Sequence, residues 1–148
     1  MAKILFVCLL LTANHLIAQD MAQTNKADLI LGTWLTDTRD SKIEIYKSGD
    51  HYFGKLIWAN EMFEADGKTS KKDDRNPDAN LQSRALQNLV ILTNFVYDDG
   101  AWDDGKIYDP ESGKTYSCTM KLKDGKLSIR GYVGFSMFGR TVVWERVK

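Results

Sequence analysis

The chain has 148 residues, with 20 Lys and Arg against 20 Asp and Glu, so the basic footprint of a nucleic-acid binder or a polybasic membrane patch is absent. Aromatic residues make up 11%, with Trp34, Trp58, Trp102 and Trp144 spread along the chain, enough bulky apolar surface for a packed β core without covalent staples.

Met1-Ala2-Lys3 gives a short positive start, Ile4 to Leu11 an unbroken apolar run, and Ala18 a small residue before Gln19. This is the layout of a signal peptide over residues 1–18, cleaved after Ala18. The apolar run is about half of the roughly 20 residues that span a bilayer, and Asn14 and His15 interrupt it, which argues against an anchor. Lipid modification at Cys8 is disfavoured because Val7 precedes it where a small residue is wanted. The expectation is an exported chain, periplasmic or secreted, with no transmembrane segment in its mature part. Losing Lys3 leaves the mature chain with one more acid than base. Cys118 is then its lone cysteine, on the apolar side of a strand, where it reads as a small buried hydrophobe. Residues 19–27 read as a flexible lead-in, and residues 28–148 as one domain.

The first strand is expected within Asp28 to Thr36. Lys42 to Lys47 alternates polar and apolar and ends at Ser48-Gly49-Asp50, and Tyr52 to Ala59 is its hairpin partner, with Gly54 marking a bulge or a close approach. Residues 64–78 are too charged to bury and read as one long loop. Asp78 is a candidate cap for a short helix in which Leu81, Ala85, Leu86 and Leu89 share a face. Val90 to Tyr97 is the next strand, Asp98-Asp99-Gly100 its turn, and residues 101–105 lead into Ile107-Tyr108 before the turn at residues 109–113. Tyr116, Cys118, Met120 and Leu122 share one face of the following strand, and Asp124-Gly125 is a tight hairpin turn. Leu127, Ile129 and Val133 resume the apolar face.

About eight strands with short connections and one short helix describe an all-β fold, a small antiparallel up-and-down barrel. Gly32 and Trp34 open the first strand and Arg146 sits in the last. In lipocalin-like barrels such a Gly-x-Trp meets an arginine from the final strand and closes the cylinder, with the guanidinium over the indole.

Further motifs follow in order. Gly54-Lys55-Leu56-Ile57-Trp58 and Asn76-Pro77-Asp78 are followed by residues 105–110 (GKIYDP) and 113–117 (GKTYS). Arg130-Gly131-Tyr132-Val133-Gly134, Phe138-Gly139-Arg140-Thr141 and Trp144-Glu145-Arg146 complete the set. With Gly32-Thr33-Trp34 they resemble the bacterial domain of unknown function 2147 family. The resemblance spans essentially the whole mature chain and implies an exported small β protein of Gram-negative bacteria, with no settled activity. One departure is Leu86-Gln87-Asn88-Leu89, where the family pattern usually has a glycine near Asn88, so a differently built turn is expected there.

The candidates for chemistry are few. Asp98 to Gly105 holds clustered acids, but not at the spacing of a calcium loop, and Asp-Gly pairs also make strand turns. No metal, cofactor or catalytic residue is assigned. No serine lies in a nucleophile elbow, and His51, the only mature histidine, sits beside a turn. The hairpin tip from Gly134 to Gly139 displays Phe135, Met137 and Phe138, which either line a barrel mouth or fold over it as a plug. Tyr52, Trp58, Tyr108, Arg130 and Tyr132, with Phe135 and Phe138, are the candidate ligand-binding residues, Arg130 as the polar handle. Periodicity alone does not say which strand face is the lumen. The reading is a non-enzymatic binder of a small apolar or amphipathic ligand. The alternatives are an envelope protein with a filled barrel and a partner-binding tip, and a cavity isomerase or hydrolase using Asp, Arg and Tyr.

Overall fold

In the computed structural model the described residues are 26–148; the expected leader at residues 1–18 lies outside them. Eight antiparallel strands follow one another around a closed barrel. They are β1 (Gly32–Leu35), β2 (Ser41–Ser48), β3 (His51–Ala59), β4 (Val90–Asp98), β5 (Ala101–Asp109), β6 (Lys114–Lys123), β7 (Lys126–Tyr132) and β8 (Arg140–Arg146). Each strand after the first pairs with its predecessor, and β8 returns to β1, with Trp34 opposite Arg146 and Leu35 opposite Glu145. Closure leaves no sheet edge open to another chain. Among the described residues, no helix is long and apolar enough to cross a membrane.

Alternation decides the inside. Ile43 and Ile45 on β2, Cys118 and Met120 on β6, and Leu127 and Ile129 on β7 are buried, while the residues alternating with them face out. Asp124-Gly125 links β6 to β7 with both residues at positive φ, as a two-residue turn matching the sheet's twist requires. The acidic run after Gly100 is part of β5 rather than a lead-in to it. Asp104 takes a φ of 59° and the register slips between Trp102 and Gly105. That slip lets Phe95 lie against the bare backbone of Gly105, where any Cβ would collide with the ring.

One end of the barrel is sealed by the segment that leads into β1. A single 3-10 turn, Asp28–Ile30, crosses beneath the strands with Ile30 fully buried. The Trp34 indole donates to Ile30 O at 2.8 Å, and the Trp102 indole to Ala27 O at 3.0 Å. Ala27, the last residue of the expected lead-in, is a buried part of the floor; residues 19–25 lie outside the described residues. The Tyr52 hydroxyl and Lys47 Nζ both donate to Asp28 Oδ1, at 2.6 and 3.0 Å. These bonds hold the Asp28 carboxyl below its ordinary pKa. Burial, followed by the Asp28 bond, pushes the Tyr52 hydroxyl up to about 12.

The expected helix after Pro77 is one 3-10 turn, Ala79–Leu81, whose cap is Asp78, accepting from Asn80 N. Helical extension fails because the following backbone is engaged elsewhere. Asp73 N donates to Arg84 O, Leu86 N to Lys71 O, and Asn88 N to Leu56 O. Residues 60–89 thus form a long strap, laced to itself by the bridges Phe63–Ser70 and Lys72–Ala85. Asn88 sits at a φ of 63°, a left-handed conformation that asparagine tolerates better than most residues, so the turn keeps the geometry a glycine would give.

A candidate ligand cavity

The floor half of the barrel is packed solid with Trp34, Tyr52, Phe95, Trp102, Met120 and Leu127. Above them a pocket of about 1260 Å³, open at its mouth, runs from the barrel interior out between the rim loops and the strap. Its lower wall is aliphatic, from Ile43, Leu56, Ile91, Ile107, Ile129 and Val142, with Trp144 beside them. Gly131 adds room, because a Cβ there would make only ordinary contacts with Ile107 and Tyr116, at 3.7 Å. The mouth lies at the end where the strap and the 36–40, 110–113 and 133–139 connections gather.

The rim is polar and of mixed charge, with Asp37, Asp74, Asp109, Lys72, Arg75 and Arg140 among its residues. Arg140 follows the phase of Val142 and Trp144 along β8, so it is carried onto the lumen side. Its guanidinium makes no hydrogen bond or ion pair among the described residues.

The strap is fastened to the rim at Asp73. Its side chain is 0% exposed and accepts from Arg84 Nη2 at 2.7 Å, from Asn76 Nδ2 at 2.9 Å, and from the Tyr108 hydroxyl. Burial, followed by the Asp73 bond, pushes Tyr108 up to about 12. Three donors saturate this carboxylate, so it fixes the strap rather than facing the lumen. A second fastening joins Arg75 to the β5–β6 turn, where its guanidinium donates to Glu111 O. Gly113, at a φ of 69°, packs there so closely that a Cβ would strike the Arg75 carbonyl.

The structure distributes the sequence-derived candidates widely. Tyr108 reaches the cavity rim. Tyr52 is inside the barrel but at the sealed end, edge-on to Trp102 with centroids 6.5 Å apart, and its hydroxyl is spent on Asp28. Trp58 is on the outer surface. The register slips between Lys42 and Ile43, so Ile57 is unpaired and Trp58 falls opposite Lys42, whose Nζ lies 5.3 Å from the ring centroid. That bulge reverses the phase that would have aimed Trp58 inward. Arg130 and Tyr132 also face outward, because Leu127, Ile129 and Gly131 hold the lumen side of β7. The Arg130 guanidinium is occupied by the hairpin tip and Thr141, so it is no ligand handle. Phe135 and Phe138 neither plug the barrel nor line the cavity; they are 76% and 77% exposed.

Ile107, Tyr116, Ile129, Val142 and Arg140 went unassigned as cavity residues. The signal was present for most of them, since the apolar face of each strand in a small barrel must be its interior. At the other end, Arg146 lies over Trp34 at 4.3 Å, donates to Leu29 O and Leu31 O, and its Nη1 would be 3.0 Å from any Cβ on Gly32.

Residues 32–146 match the family described as uncharacterised proteins conserved in bacteria, DUF2147. The chain belongs to this family. No curated protein sequence matches this DUF2147 member. Among solved structures it is similar to protein HP1028 from the human pathogen Helicobacter pylori, described as belonging to the lipocalin family. The TM-score is 0.69 at 23% identity, over 80% of this chain and 83% of that one. At that identity the likeness establishes the fold, a lipocalin-like barrel.

Proposed function

We propose that this DUF2147 protein is an exported carrier that holds one small apolar or amphipathic ligand in the mouth half of its barrel, without chemistry on it. The observation that carries the reading is the open pocket of about 1260 Å³, aliphatic below and polar at the rim, above a fully packed floor. Such a shape takes an apolar body inward and leaves a polar end at Arg140, Asp109 and Tyr116. Burying about 200 Å² of ligand apolar surface would contribute about 5 kcal/mol. A barrel filled to both ends would offer no such site. The lipocalin description of the Helicobacter pylori neighbour agrees with ligand holding in general terms. Export is supported by the leader-like residues 1–18.

Native mass spectrometry of the protein purified from the cells that make it is expected to show a retained small molecule. Gly131→Leu, which pushes a side chain toward Ile107 and Tyr116, is expected to weaken uptake of an apolar reporter dye at least about tenfold while leaving the fold intact. A bare protein whose dye uptake is indifferent to this substitution would sink the reading.

A further inference from the structure

We propose that the ligand of this pocket is a single-chain carboxylate, its alkyl chain against the aliphatic wall and its head held by Arg140 with Tyr116 beside it. The inference rests on the carrier reading and names the class of molecule carried.

The lumen rows of β7 and β8 decide where the head group lies. Gly131 pairs with Arg140, Ile129 with Val142 in the row below, and Leu127 with Trp144 at the floor. The two lower rows are wholly apolar. In the top row the missing side chain of Gly131 leaves a gap, with Arg140 on one side. Tyr116 is on the other, its Cβ 3.7 Å from where a Gly131 Cβ would be. Both residues line the pocket, and neither the Arg140 guanidinium nor the Tyr116 hydroxyl has a hydrogen-bond partner among the described residues. From Arg140 down to Trp144 the strand runs about 13 Å, at a rise of about 3.3 Å per residue. An extended alkyl chain fits along that run, beneath the guanidinium.

Charge selects the head. Of the pocket's charged residues, only Asp109 and Arg140 belong to barrel strands. The Asp109 carboxylate is taken up by its own turn, accepting from Glu111 N at 3.0 Å and from Ser112 Oγ at 2.6 Å. The other charged residues of the mouth stand on the connections and the strap, and several are engaged there. Asp40 accepts from the Thr36 and Ser41 hydroxyls, Glu61 pairs with Lys71 at 3.1 Å, and Arg75 donates to Glu111 O. Arg140 thus puts an unpaired cation over the aliphatic wall, and a ligand that covers it takes it out of water. A covered charge without a counter-charge is strongly unfavourable. A carboxylate answers it with two parallel hydrogen bonds to the guanidinium fork. An alcohol would leave the charge unpaired, and a quaternary ammonium would meet its own sign. A phosphate monoester carries about −1.5 to −2 charges at neutral pH, more than one guanidinium balances with Asp37 and Asp74 also at the mouth.

Calorimetric titration of the purified, delipidated protein compares four probes that share one alkyl chain: decanoate, decanol, decyl phosphate and decyltrimethylammonium. Decanoate is expected to bind at least about tenfold more tightly than each of the other three, and Arg140→Gln to bring decanoate down to the level of decanol. Arg140 is exposed and its guanidinium is unbonded, so the variant is expected to fold, with an unchanged urea midpoint as the check. Decanol bound as tightly as decanoate, or a preference for the phosphate or the ammonium, overturns the carboxylate assignment and leaves the carrier reading standing. A decanoate preference that survives in Arg140→Gln overturns the proposal equally. Uptake of none of the four overturns the carrier reading together with it.

Discussion

Removing the Arg146 guanidinium would leave the carbonyls of Leu29 and Leu31 and the face of Trp34 without their cation. A partly exposed cation–π contact with charged hydrogen bonds contributes about 1–3 kcal/mol. Arg146→Met is therefore expected to lower the urea midpoint at an unchanged denaturant slope, and a midpoint equal to wild type would show the closure to be decorative. This contact was legible in the sequence because both partners sit in short motifs at the chain's two ends, where a barrel must meet itself. Arg130 was not legible. Its partners are main-chain carbonyls of a tip whose path depends on how the hairpin folds back, and a one-letter code carries no carbonyl positions. Asn88 falls between the two: its place near a turn was visible, but its left-handed backbone is fixed by the bond from its N–H to Leu56 O, a strand away.

Among the elements, the strap over residues 60–89 is the one whose role the sequence left blank. Its charge excluded burial of the whole segment, correctly, yet Asp73 within it is among the most buried polar side chains, at 1% exposure for the residue. Breaking a buried charge pair from one side costs about 3–5 kcal/mol, and here much of it falls on the strap, since Arg84, Asn76 and Tyr108 all lose their acceptor. Asp73→Ala is expected to open the strap to limited proteolysis within residues 60–89 while β1 to β8 stay protected, and a cleavage pattern identical to wild type would refute the fastening. Trp58 shows the same limit in a strand. Period-two reading carries it inward from Tyr52 and Leu56, and one extra residue at Ile57 carries it out again. A bulge is a property of two paired strands, so neither strand's sequence declares it.

For the molecule as a whole, two buried groups and the half-buried Tyr108 make alkali its weak side. Tyr52 and Tyr108 move from 10.0 to about 12, and Cys118, from burial, from 9.0 to about 12. Each is held in its neutral form by the fold. Between the ordinary values and about 12 the unfolded chain releases these protons while the folded chain keeps them, so stability is intact below about pH 9 and drains away as pH rises toward 12. Tyrosinate absorbance from Tyr52 and Tyr108 is expected to appear together with unfolding; ionisation near pH 10 with the barrel intact would contradict it. The sequence by itself determined the class of fold, the order of the strands, the turns between them and the residues that close the cylinder, because alternation, Asp-Gly pairs and the Gly-x-Trp signal are local. Only the tertiary structure decided which face is the lumen, that one half of it is packed and the other hollow, and that the tip's apolar side chains stay outside. Those depend on strand phase after bulges, on the packing of side chains from opposite walls, and on a strap tied down by contacts far apart in the chain.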